Sequence, residues 1–233
     1  MKTNEDSRFT VPLYTIAEAS TFLGVHTQTL ANWAKGYERR PPGRKVVRSG
    51  PILHSFESTR RYPSIPFIGL AEGLVVAAFR QSGISMQQIR KAVEILRREM
   101  QLEYALASHR LYVDGARVLF DYAHQESDEE LGGLTVVVSQ QRVFAPVVRE
   151  YLDCINYGSD DWPRLLLSPV SRVMAADPER SFGRPIFVHG AAPVEEVIER
   201  FEAGETIDEL SIDFGVPEED VEDVLRARLR VAA

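Results

Sequence analysis

The sequence predicts an α+β, mostly helical chain: an N-terminal helix-turn-helix with a wing, a small central β-rich region, and a second, C-terminal helix-turn-helix module. Three observations carry this reading. Helical periodicity with start and stop residues dominates both ends. Short β-like runs cluster only between about 111 and 167. A segment near the start, Thr15 to Val25, recurs without gaps near the end. The expected divisions are 1–106, 107–174 and 175–233.

A chain of 233 residues with 44% hydrophobic and 26% charged residues can bury a real core, which excludes bulk disorder and collagen-like readings. Its one cysteine, Cys154, excludes an internal disulfide and a cysteine-rich zinc site. The longest apolar run, Leu74 to Phe79, is far short of the ~20 residues that span a bilayer. The start, Met1 to Asp6, lacks the apolar core of an export signal. The expectation is a cytoplasmic protein with no membrane partner. The net charge of −7 is unevenly placed: residues 1–110 carry +7 and residues 111–233 carry −14. Such asymmetry points to two partners of different character.

At the basic end, Thr15 and Glu18 have capping-box spacing, and Ile16, Ala19 and Leu23 fall on one helical face. Gly24 is placed to stop this helix in a left-handed C-cap. A second helix is expected from His26 or Thr27 to Lys35, with Leu30 and Trp33 inside. Two short helices about a Gly turn bind DNA by laying the second in the major groove. The groove-facing positions are Thr27, Gln28, Ala31 and Asn32, and the two amides suit adenine. Lys35, Arg39, Arg40, Arg44, Lys45 and Arg48 follow, with a hairpin expected through Val46-Val47 and Ile52-Leu53. That arrangement reads as a wing tracking phosphates; a helical hairpin with a solvated basic loop is the alternative.

Tyr14, Glu18, Gly24-Val25, Thr29-Leu30 and Trp33 together resemble the MerR-like winged helix-turn-helix. Arg61-Tyr62 falls where that family's wing returns, Phe67 to Phe79 where a buried helix follows, and Gly83-Ile84-Ser85 where the next begins. Ser85 and Gln88 repeat the capping spacing, and Ile89, Val93, Leu96 and Met100 form one stripe, either a dimer seam or a core face. Ala31 stands where the family usually keeps an arginine for DNA.

In the middle, Leu111-Tyr112-Val113, Val118-Leu119-Phe120, Thr135 to Val138 and Leu165 to Leu167 read as strands, with Asp114-Gly115 as a hairpin turn. Glu126 to Glu130 reads as a solvated acidic loop, and Val143 to Tyr151 as a helix despite Pro146. His109, His124 and Cys154 stand apart and suit packing or surface roles. No nucleophile–base pair, phosphate loop or metal-ligand set is present, so neither an enzyme, a cofactor nor a metal is expected.

At the acidic end, Val194, Val197, Ile198 and Phe201 mark a helix opened by Pro193 and ended by Gly204. Thr206 to Val216 then aligns with Thr15 to Val25, sharing Thr, Ile, Glu, Ser, Gly and Val, and a second helix starts at Pro217 with Val221, Val224 and Leu225 inside. Extending the alignment puts Glu218, Glu219, Glu222 and Asp223 where the first unit has Thr27, Gln28, Ala31 and Asn32. Carboxylates there repel phosphates, so this copy is expected to be either a solubilising face or a protein-docking one.

Asp177-Pro178, Gly183-Arg184-Pro185-Ile186, Gly190, Ala203-Gly204 and the second helix-turn-helix resemble the module called domain of unknown function 433. Behind a MerR-like domain, this order is similar to long VapB-type antitoxins. The resemblance implies a type II antitoxin that neutralises a PIN-domain ribonuclease of the VapC type and binds double-stranded operator DNA for autoregulation; a homodimer is expected separately, because helix-turn-helix proteins reach useful affinity by engaging two half-sites. The acidic face read from the alignment offers Glu218, Glu219 and Glu222 as toxin-binding residues, and the carboxylate cluster that the resemblance implies for the ribonuclease adds Arg226, Arg228 and Arg230, by forked pairing with it. The family's usual Thr-Arg after Gly190 is Ala191-Ala192 here. A ligand-sensing MerR-like regulator, with a pocket in the middle region, is the alternative.

Overall fold

The computed structural model describes residues 6–40, 46–57, 62–138 and 141–232. In chain order the elements are α1 (Ser7–Thr10), β1 (Pro12–Tyr14), α2 (Ile16–Leu23), α3 (Thr27–Lys35), β2 (Tyr37–Arg39), β3 (Val47–Ser49), β4 (Ile65–Pro66), α4 (Phe67–Gln81), α5 (Met86–Met100), α6 (Ala116–Glu126), α7 (Glu129–Gly132), β5 (Thr135–Val138), β6 (Gln141–Phe144), α8 (Pro146–Leu152), β7 (Ile155–Tyr157), β8 (Pro163–Leu167), β9 (Met174–Ala176), β10 (Ile186–Phe187), α9 (Val194–Glu202), α10 (Ile207–Phe214) and α11 (Glu218–Ala232). This is the mostly helical α+β class expected.

The chain forms two compact units, both discontinuous in sequence. One comprises Met1–Ala31, Ser55–Phe67 and Arg164–Ala233; the other comprises Asn32–His54 and Ile68–Pro163. In the first, α11 packs on α2, α9 and α10, β1 pairs antiparallel with β4, and β9 pairs antiparallel with β8 and β10. The first helix of the N-terminal helix-turn-helix thus shares a core with the C-terminal module. Two long-range hydrogen bonds fix this: Ser168 Oγ donates to the Phe22 carbonyl at 2.7 Å, and Arg228 Nη1 donates to Thr21 Oγ1 at 3.2 Å.

The internal repeat holds at the level of local geometry. Thr15 caps α2 and Thr206 caps α10, each in a complete capping box with Glu18 or Glu209. Both helices end on a left-handed glycine, Gly24 at φ 68 and Gly215 at φ 63. The amide after each glycine returns to an equivalent carbonyl, Val25 to Ser20 at 3.0 Å and Val216 to Ser211 at 3.2 Å. Burial follows the same register: Ala19 and Leu210, Leu30 and Val221, Trp33 and Val224 are all buried.

In the second unit, α4 is buried from Ile68 to Phe79 and apolar there except for Glu72, as a helix at the centre of a core must be. The Ile89, Val93, Leu96 and Met100 stripe of α5 is also buried, which makes it a core face within the chain rather than a seam for a second copy. Ser85 caps α5 as its spacing predicts, but the Gln88 amide group turns to Asp128 Oδ1 at 3.4 Å.

Two expected strands of the middle region are helical. Leu111–Gly115 forms a π-helical turn running into α6, which packs on α5 and on the β5–β6 hairpin. The reason is visible in the burial: Leu111, Gly115, Ala116, Leu119 and Ala123 face inward at helical spacing. Gly115 has helical φ −60, and a Cβ there would come within 2.7 Å of Leu111 Cδ1 and 3.2 Å of Phe144 Cζ. It is a packing glycine, and the Asp-Gly hairpin signal is overruled by tertiary contact. Thr135 to Val138 and Leu165 to Leu167 are strands as expected. Pro146 opens α8 at its first turn, where it removes no helical hydrogen bond, while Val143 and Phe144 belong to β6. Asp128 of the acidic loop is not solvated: it holds Lys91 Nζ at 2.8 Å and accepts the Leu131 amide at 3.1 Å.

Candidate nucleic-acid interface and partner surface

The helix α3 begins with a cap the sequence does not advertise. His26 Nδ1 accepts the Gln28 amide at 3.2 Å, and the His26 carbonyl accepts Thr29 and Leu30. Thr27 and Gln28 are exposed on the first turn, as a base-reading position requires, and Asn32 is half-buried one turn on. Thr27 Oγ1 lies 3.1 Å from Ser20 Oγ, tying the start of α3 to α2. Leu30 and Trp33 are buried beneath. Lys35 is exposed in the last turn, where a cation also suits the helix dipole.

The wing is a hairpin of β2 and β3, with Tyr37 opposite Ser49, Glu38 opposite Arg48 and Arg39 opposite Val47. The expected pairing of Val46-Val47 with Ile52-Leu53 is therefore shifted. Ile52 and Leu53 are buried and donate both their amides to the Trp33 carbonyl, at 2.8 and 3.3 Å, so they anchor the wing to the end of α3. Gly36 makes the join possible, since it has φ +73 and a Cβ there would lie 2.3 Å from the Ser49 carbonyl oxygen. Arg90 Nη1 braces the return strand by donating to the Gly50 carbonyl at 2.6 Å.

Of the predicted phosphate contacts, Arg40 and Arg48 are exposed and converge on one carboxylate. Glu38 Oε1 is 2.9 Å from Arg40 Nη2, and Glu38 Oε2 is 2.8 Å from Arg48 Nε. Sequence reading missed Glu38, whose position opposite Arg48 in a hairpin is a cross-strand relation that appears only with the register. Arg39 lies on β2, and Arg44 and Lys45 lie outside the described residues.

The second copy presents the opposite chemistry. Glu218 and Glu219 are exposed at the start of α11, where carboxylates favour the helix dipole. Two neighbouring carboxylates are used within the chain: Asp220 Oδ2 is 2.8 Å from His189 Nδ1, and Asp223 Oδ2 accepts Ser171 Oγ at 2.7 Å. The position equivalent to Asn32 is thus occupied by the protein's own loop. Glu222 pairs with Arg226 one turn on. Arg228 bonds Thr21 and lies 3.9 Å from Glu195, whereas Arg230 is in α11 with its side chain outside the description. Leu229, beside them, is 70% exposed.

Residues 12–93 match the family described as "Putative DNA-binding HTH domain", and residues 175–226 match "Protein of unknown function (DUF433)". The chain is 37% identical over 228 residues to a Mycobacterium tuberculosis protein named "Putative antitoxin VapB45", covering 94% of this chain and 95% of the relative. The chain belongs to the VapB45-like antitoxin family. A crystal structure of Rv2018 from Mycobacterium tuberculosis superposes with a TM-score of 0.78 at 34% identity, covering 94% of this chain and 99% of that one. This antitoxin-family chain therefore combines an N-terminal helix-turn-helix domain of DNA-binding type with a C-terminal DUF433 domain. Among its described residues, no helix is long and apolar enough to cross a membrane.

Proposed function

We propose that this chain neutralises a PIN-domain ribonuclease toxin through its acidic C-terminal module and, as a homodimer, holds operator DNA through α3 and the wing to repress its own synthesis. The observation that carries the reading is the contrast between the two helix-turn-helix copies. The same capped scaffold presents uncharged, exposed residues followed by lysine and arginine in one copy, and carboxylates in the other. DNA is attracted to the first and repelled by the second.

On the partner side, Glu218 and Glu219 are open on α11, and Arg226 with the exposed Leu229 forms a cationic and apolar strip at its end. Arg226 and Arg230 are the arginines we assign to the toxin's carboxylates. Arg228 we assign to holding α11 on α2, because its guanidinium already has an internal partner.

The test is co-expression with the product of the adjacent open reading frame, followed by purification and a ribonuclease assay with and without this chain. A stable complex lacking activity supports the proposal. Failure of the two proteins to associate would move the weight to a DNA-binding regulator that answers a small ligand.

A further inference from the structure

One surface feature of the first unit is unused by either reading. Phe182 is 91% exposed, on a turn where Ser181 has φ 45 and Phe182 itself φ 54. A bulky residue seldom adopts that backbone, and such strain persists where the surrounding structure enforces it. The turn is pinned on both sides: the Gly183 amide donates to the Arg180 carbonyl at 2.8 Å, the Arg184 amide to the Ser181 carbonyl at 3.0 Å, and the Glu179 amide to Asp177 Oδ1 at 2.9 Å. The ring is therefore held out in water by an ordered segment, with exposed Arg180 and Arg184 two residues before and after it in the chain.

Beside this knob lies a cavity of about 200 Å³ that Arg184 helps to line. Its apolar floor includes Phe22, Met174 and Ile198, and its mouth carries Glu195, Glu196 and Glu199. The volume suits an aromatic ring, and the mouth suits flanking cations. Phe182, being exposed, does not fill the cavity of its own chain.

We infer that the knob and the cavity belong to one self-complementary interface between two copies of this chain. Related by a two-fold axis, each Phe182 enters the cavity of the other copy, with Arg180 brought against Glu196 and Glu199. A two-fold contact requires both halves of the match on one patch of a single chain, and Arg184 joins them here. The α5 stripe, the other surface considered for dimerisation, is consumed in the core. This inference rests on the homodimeric reading above and names its interface.

The experiment is sedimentation velocity or light scattering on the purified full-length chain, with circular dichroism to check folding. Wild type is expected to be a dimer. Phe182→Gly, compatible with the left-handed φ, should stay folded and weaken dimerisation by about thirtyfold or more, as loss of a central aromatic anchor does. Glu199→Arg should weaken it too, and Arg180→Glu combined with Glu199→Arg should recover it. A monomeric wild type overturns the homodimeric reading and the interface with it. A folded Phe182→Gly chain that remains fully dimeric overturns this interface alone, as does a dimeric Phe182→Gly chain that has instead lost the co-expressed toxin.

Discussion

Glu72 Oε2 accepts the backbone amide of His54 at 2.6 Å, from the middle of the buried helix α4 to the chain that leaves the wing. The same carboxylate meets Arg97 Nη2 at 3.4 Å, and that nitrogen also donates to the Ile52 carbonyl at 3.2 Å. One buried acid and one half-exposed arginine therefore hold the base of the wing against α4 and α5. The position of the wing is fixed from inside the second unit.

Burial pushes the Glu72 carboxyl from its ordinary 4.5 up to about 7, against the His54 amide and Arg97, which both lower it, and with a smaller upward push from Glu103. A carboxyl whose pKa is raised by folding binds its proton more tightly in the native state. Native stability from this group is therefore largest at low pH, falls as pH rises from about 4.5 to about 7, and is flat above. The loss over that window is roughly 3 kcal/mol at most. Glu72→Gln should remove this component of the pH dependence while still accepting the His54 amide. Thermal unfolding of both proteins at pH 5 and pH 8 checks this; parallel curves would assign the pH dependence elsewhere.

The wing carries its own brake. Glu38 neutralises part of the charge that Arg40 and Arg48 present, and both arginines are exposed enough that each ion pair contributes at most about 1 kcal/mol to stability. Glu38→Gln should leave the melting temperature nearly unchanged and raise DNA affinity several-fold. Freeing about one to two phosphate contacts should also steepen the dependence of log affinity on log salt by about one to two. Arg48→Ala should do the opposite. A salt titration of operator binding, monitored by fluorescence anisotropy, reads both; identical slopes would show that the wing does not touch phosphate.

The two helix-turn-helix copies provide a swap experiment. Gln28→Glu with Ala31→Glu gives α3 the carboxylates that α11 carries at Glu219 and Glu222. Because the second copy tolerates them on the same capped scaffold, folding should survive, with stability changed by no more than about 1 kcal/mol. Two carboxylates set against phosphates should lower DNA affinity by about a hundredfold at low salt. Retained binding at normal salt dependence would place the DNA somewhere other than α3.

The parts of this molecule legible in the sequence are those set by local chemistry. Thr15 with Glu18, Thr206 with Glu209, and the glycines at 24 and 215 specify caps by short-range bonds, and all four form as read. What was misread depended on partners distant in sequence. Gly115 looked like a turn because the reason for it, Phe144, lies on another element. Ile52-Leu53 looked like a wing strand because the Trp33 carbonyl that takes their amides cannot be foreseen from spacing. At the proposed interface, the exposure of Thr27 and Gln28 on α3 is legible from helical spacing and the pairing of Glu38 is not, since it depends on which arginines the hairpin register sets beside it.

The arginines of α11 separate stability from partner binding. Arg228 reaches across 207 residues to Thr21 and is only half-exposed, so Arg228→Ala breaks a hydrogen bond between α11 and α2. The expected cost is about 1 kcal/mol, visible as a melting temperature lower by a few degrees. Arg226 faces solvent and, among the described residues, pairs along its own helix with Glu222, a contact worth about 0.3 to 0.5 kcal/mol. Arg226→Ala should therefore melt with the wild type. If the end of α11 reaches the toxin's carboxylates, Arg226→Ala relieves ribonuclease inhibition at unchanged stability, while any relief from Arg228→Ala scales with its loss of stability and is reversed by a stabilising second substitution. The reverse pattern, with Arg226→Ala fully inhibitory and Arg228→Ala derepressed at unchanged melting temperature, would move the toxin contact from the open face of α11 to the groove it shares with α2.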